Sequence, residues 1–117
     1  MEKEFVSYEQ ALALKKLGFE WQTLNFFDST TRDFWNWDYF PDINAPLKQQ
    51  VFRWFREKHN LIGLIEGGYD NGKNVYSYVI WKGSYDDWLY YYWETYEEAE
   101  NACIDKLIEI VKQQVIP

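Results

Sequence analysis

The chain has 117 residues and a formal charge of −7, from 12 basic and 19 acidic side chains, which argues against broad nucleic-acid binding through a basic surface. Its length suits one domain with a real core, and its lone cysteine, Cys103, excludes an internal disulfide. The 25 aromatic residues (7 Trp, 10 Tyr, 8 Phe) are more than a small domain usually carries, and they pose the main question: what covers them all.

The first element in chain order is the helix SYEQALALKKLGF. Ser7 and Gln10 form an S-x-x-Q capping box, Val6 and Ala11 occupy the staple positions, and Gly18 ends the helix with Phe19 folding back on its last turn. Two aromatic runs follow, WQTLNFFD and DFWNWDYF, around the turn-like STTR; they read as strands. The segment APLKQQVFRWFREKHN predicts the middle helix, with Asn44 as cap, Pro46 in the first turn, and Leu47, Val51, Trp54 and Phe55 at helical spacing.

Three further strands are expected. LIGLIEG is the first, and the Asn-Gly of GGYDNGK is a strong hairpin signal leading into NVYSYVIW. In NVYSYVIW, Tyr76, Tyr78 and Ile80 share one face, and Val75, Ser77, Val79 and Trp81 share the other. DDWLYYYWETYEEAE comes next: as a strand, its first half puts Trp88, Tyr90 and Tyr92 on one face and Leu89, Tyr91 and Trp93 on the other. The last helix opens with a second capping box, Thr95 and Glu98, and its apolar residues Ala99, Cys103, Ile104, Leu107, Ile108, Ile110 and Val115 span more than half of its circumference. That width predicts either deep burial or contact on two sides, a homodimer being one way to satisfy it.

The expected architecture is a single α+β domain over residues 1–117: a mostly antiparallel sheet of about five strands, three helices chiefly on one face, in the order α-β-β-α-β-β-β-α. Three helices cover one face of such a sheet better than two, so the other face would present Tyr and Trp as an interaction patch. The start, MEKEFVSYEQ, lacks the apolar core of a signal peptide, and no apolar run approaches the roughly 18 residues of a membrane span. With one cysteine suited to a reducing compartment, a cytoplasmic protein without membrane contact is expected.

Catalytic chemistry finds little support. His59, the single histidine, stands at a helix end, where a dipole-facing or surface role is favoured over that of a base without an oriented nucleophile. Cys103 falls on an apolar helical stripe and reads as core. One His and one Cys make no zinc pattern, and EGGYDNGKN lacks both the alternating acids of a calcium loop and the P-loop spacing; no metal or cofactor is expected. Acid-dependent hydrolysis by paired carboxylates remains the weakest reading.

Binding fits better. The stretch Ala45–Asn60 carries a net +3, from Lys48, Arg53, Arg56 and Lys58 against Glu57, leaving −10 on the rest of the chain. Trp and Arg are frequent interface anchors, so Trp88, Tyr90, Tyr92, Trp54, Arg53 and Arg56 are the candidate protein-binding residues. Against this stands the simpler reading that Trp54 faces the core while the charges are solvated. The alternative from a different class is sequestration of a nucleotide-like anion by Arg53, Arg56 or Lys58 beside a stacking ring.

Three stretches, EFVSYEQALALKKLGF, APLKQQVFRWFREKHNL and TYEEAENACIDKLIEIVK, close to half the chain, resemble a family of small proteins encoded by Bacteroidetes bacteria and their phages. No activity is assigned to that family, so no functional residue carries over. The resemblance implies a phage or prophage setting and a compact accessory protein that binds a host or phage protein.

Overall fold

The computed structural model of the chain describes residues 4–19, 26–27, 34–35, 43–44, 46–82, 85–88 and 92–115, with the backbone alone at 26–27, 34–35, 43–44, 85–88 and 114–115. The element order is α1 (Tyr8–Lys16), β1 (Phe26–Phe27), β2 (Phe34–Trp35), β3 (Ile43–Asn44), α2 (Lys48–His59), β4 (Ile62–Asp70), β5 (Lys73–Lys82), β6 (Tyr85–Trp88) and α3 (Tyr96–Val115). The class is α+β with three helices and antiparallel strands, as the sequence predicts. The strand count and order differ from expectation: among the described residues six strands form two three-stranded sheets, β2-β1-β3 and β4-β5-β6, in place of one sheet of about five. The chain divides into two compact units, Met1–Val51 and Phe52–Pro117.

In the first unit, both bonds of the α1 capping box are made: the Gln10 amide donates to Ser7 Oγ at 3.1 Å, and the Ser7 amide donates to Gln10 Oε1 at 3.0 Å. At the other end Gly18 takes φ +97°, the Phe19 amide returns to the Leu14 carbonyl at 2.9 Å, and the Gly18 amide to that of Lys15 at 3.1 Å. This left-handed exit satisfies carbonyls that the helix end would leave open, and it buries Phe19. Leu14, Val6 and Ala11 are buried with it, and α1 packs against β3.

The extra strand is β3, and it explains why the middle helix starts later than expected. Asn44 does not cap α2. Ile43 and Asn44 pair with Phe27 and Phe26 of β1, the Pro46 carbonyl accepts the Val6 amide at 3.2 Å, and Leu47 bridges Phe5. These long-range bonds hold Ile43 and Asn44 in the sheet and tie Pro46 and Leu47 to the Phe5–Val6 segment. The helix begins at Lys48, where Gln50 Oε1 reaches back to accept the Leu47 amide at 2.8 Å, half of a capping box. Local capping preference yields here to sheet pairing.

In the second unit, β5 is the central strand. The hairpin from β4 to β5 turns through Asn71 (φ 50°) and Gly72 (φ 81°), the positive angles a type I′ turn requires, and Asp70 pairs with Lys73 across it. This fixes a residue-for-residue register from Asp70↔Lys73 to Ile62↔Trp81. On its other side β5 pairs with β6 from Lys82↔Tyr85 to Val79↔Trp88. Pairing on that side recurs at Tyr76↔Trp93, two residues out of step with β6. Leu89, Tyr90 and Tyr91 lie outside the described residues.

α3 packs on β5 and β4. Thr95 caps it, its Oγ accepting the Glu98 amide at 3.2 Å while its hydroxyl donates to the Glu98 carboxylate at 2.8 Å. Ala99, Glu100, Cys103, Ile104, Leu107, Ile108 and Val111 are buried. At about 100° per residue they cover about half of the helix circumference. Of the predicted apolar arc, Ala99, Cys103, Ile104, Leu107 and Ile108 are buried and Ile110 is half-buried, while the Val115 side chain lies outside the described residues. Gly63 allows the close approach of helix and sheet: a Cβ there would stand 2.9 Å from Cys103 Sγ and 3.1 Å from the Phe52 ring.

Candidate functional site

Strand alternation sorts the second sheet into two faces. Gly63, Ile65 and Gly67 of β4 stand across from Ile80, Tyr78 and Tyr76 of β5, and this is the face α3 covers. Tyr78 and Ile80 are buried there; the Tyr78 ring stacks on Trp93 at 5.7 Å, and Tyr76 meets the Tyr96 ring edge-on at 5.9 Å. Of these rings Tyr78 is buried, Tyr76 and Trp93 are half-buried and Tyr96 is exposed.

The opposite face carries Ile62, Leu64 and Glu66 on β4 with Val75, Ser77, Val79 and Trp81 on β5. Val79 is buried, but Leu64 is 48% exposed, and Ile62 and Trp81 are each 37% exposed. Ile62 stands directly across from Trp81, and Leu64 from Val79, so these side chains form one apolar patch with Glu66 at its margin. The sequence shows the Val79–Trp81 alternation but not which face the helices would take. Ile62 and Leu64, read as ordinary strand residues, were missed for that reason.

Of the residues predicted to bind, the side chains of Trp54, Arg53, Arg56 and Tyr92 are described. Trp54 is a correction: its ring is only 3% exposed and stacks edge-on against Phe55 (5.0 Å) and His59 (4.8 Å), so it is core and not a surface anchor. Arg53 and Arg56 are exposed one turn apart, and Arg53 Nε donates to Glu57 Oε1 at 2.9 Å. Lys58 is exposed but, at about 100° per residue, lies well round α2 from both arginines, and Lys48 is buried. Lys58 therefore does not share a helix face with the two arginines. Tyr92 is 59% exposed. Trp88 pairs with Val79 by register, its side chain lying outside the described residues, as does the whole of Tyr90.

His59 is half-buried at the end of α2; burial, then the Lys82 charge, lowers its pKa, so the imidazole is neutral at neutral pH. The Cys103 thiol is fully buried, and desolvation followed by the nearby Glu100 carboxylate pushes its pKa far up, which removes its thiolate character. Among the described residues no group of three His, Cys, Asp or Glu side chains is placed to hold a metal, and no helix is long and apolar enough to cross a membrane. No family model, curated protein or solved structure matches the chain. The functional reading therefore stands on the exposed sheet face.

Proposed function

We propose that the chain is a non-catalytic binding protein that engages another protein through the open face of the β4–β5 hairpin. The observation that carries this reading is the cluster of Ile62, Leu64 and Trp81, large apolar side chains left exposed side by side on a sheet face. Contiguous exposed apolar surface on a soluble domain marks interaction sites. Glu66 at its margin and the overall charge of −7 favour a partner whose matching apolar patch has a basic rim. Such a partner fits a phage or prophage accessory protein working in the host cytoplasm, the setting its three helical segments suggest.

The test uses Trp81→Ser and Leu64→Ser, alone and together. Because both side chains are well exposed, the variants keep a cooperative melt within a few degrees of the parent. Proteins retained from a host lysate by the parent chain are identified, purified and titrated by calorimetry. The double variant is expected to bind at least tenfold more weakly. Equal affinity for parent and double variant, or collapse of the fold in the variants, overturns the reading. The anion-binding alternative predicts instead a melting shift with millimolar nucleotides that Arg56→Ala abolishes.

A further inference from the structure

We propose that the outer edge of β4 is completed by β4 of a second copy of this chain, making a twofold dimer with a sheet continuous across the two copies. The phase of the hydrogen bonds identifies the groups available. Tyr76 exchanges both main-chain bonds with Trp93, 2.8 Å each, so its amide and carbonyl point away from β4. Gly67, directly opposite Tyr76, must then be a pair without bonds across the hairpin. Since bonded and unbonded pairs alternate, Gly63, Ile65, Gly67 and Tyr69 all aim their amides and carbonyls outward. The Asp70↔Lys73 pair, which closes the two-residue turn, fits the same phase. Among the described residues β4 is paired on one side only.

Edge strands are usually protected by shortness, lysine, proline or a bulge. β4 carries Glu66 and Asp70 but has no lysine, proline or bulge and is not short. It runs nine residues, IGLIEGGYD, without Lys or Pro, in unbroken register with β5. The opposite edge strand, β6, is four residues long. Among the described residues, length therefore makes β4 the edge with more main chain to offer.

The edge is self-complementary. With the twofold axis at Ile65, antiparallel pairing sets Ile65 against Ile65 of the second copy and Gly63 against Gly67 twice, which closes about six main-chain bonds. On the open face Leu64 then meets Glu66 of the second copy. Moving the axis to Glu66 would put two carboxylates directly opposite, a destabilising pair, so charge disfavours that register. An isologous twofold contact is also the commonest oligomeric arrangement. This proposal depends on the backbone edge and not on the exposed Trp81 face.

Light scattering and sedimentation from about 1 to about 300 μM are expected to show a dimer that tightens with added salt, as screening relieves the repulsion between two copies of charge −7. Gly67→Pro removes an outward amide and leaves the hairpin bonds untouched; a Cβ there meets the Tyr76 ring at an ordinary 3.9 Å. It is expected to give a folded monomer, still able to bind whatever partner Trp81 engages. Ile65→Cys is expected to give a covalent dimer on oxidation, while the parent, whose Cys103 is buried, does not. A parent that stays monomeric throughout, a dimer that weakens with salt, or a dimer undiminished in folded Gly67→Pro overturns the proposal. Should Gly67→Pro fail to fold, the cross-link decides: its absence in Ile65→Cys refutes the edge.

Discussion

Gly63→Ala tests the helix-to-sheet contact directly. The added methyl would sit 2.9 Å from Cys103 Sγ and 3.1 and 3.2 Å from two carbons of the Phe52 ring. Neither neighbour can easily withdraw: Cys103 is fully buried in α3 and Phe52 nearly so. Overpacking of this kind costs about 1–3 kcal/mol. Gly63 is not among the positive-φ residues, so the substitution also stiffens the unfolded chain and returns about 0.4–1 kcal/mol. The net expectation is a loss of about 1–2 kcal/mol, or a melting temperature lower by roughly 4–8 °C for a chain of this size. Urea denaturation should show a lower midpoint at unchanged slope. Adding Cys103→Ala removes the closest atom, so the double variant should be more stable than the two single losses predict, with a coupling of about 1 kcal/mol. Unchanged or increased stability in Gly63→Ala, or strict additivity with Cys103→Ala, would refute the close approach.

Gly72→Ala forces a side chain into the left-handed region and should cost about 1–2 kcal/mol by urea denaturation, whereas Asn71→Gly should be near neutral. Burial lowers the His59 pKa below its unfolded value, so the unfolded chain binds the proton more readily. The stability this group contributes is present above about pH 6.5 and is lost as the pH falls through the folded value; His59→Gln should flatten the change in urea midpoint between pH 7.5 and pH 5.5. The Cys103 thiol should resist aromatic disulfide reagents in the native protein and react at once in denaturant; rapid native labelling would contradict its burial.

The features that sequence reveals here are those written within a few residues. Ser7 with Gln10, Gly18 before Phe19 and Asn71-Gly72 each act locally and form as read, and Thr95 caps α3 through the Glu98 amide, with the Glu98 carboxylate meeting the Thr95 hydroxyl in place of its amide. What escaped depends on distant pairing. Asn44 has the chemistry of a cap, yet Phe26 holds it in a sheet. β5 is apolar on both faces, so its alternation cannot tell which side α3 will cover. The candidate site suffered most, because it is defined by what remains uncovered. Trp54 pointed inward to Phe55 and His59, while the exposed Ile62 and Leu64 had nothing in their local pattern to mark them.

The joint between α2 and β4 carries a constraint on length. Asn60, at φ 55°, turns the chain out of the helix, and the Leu61 amide returns to the Phe55 carbonyl at 3.1 Å before the strand starts at Ile62. Helix and strand are thus spliced through two residues, with no slack. Glycine at position 60 would be accepted, because it takes the same backbone angle at lower cost. Because the turn at Asn71 and Gly72 holds β4 in register with β5, one residue inserted at the joint would have to be absorbed before Ile62, breaking the return of the Leu61 amide to Phe55.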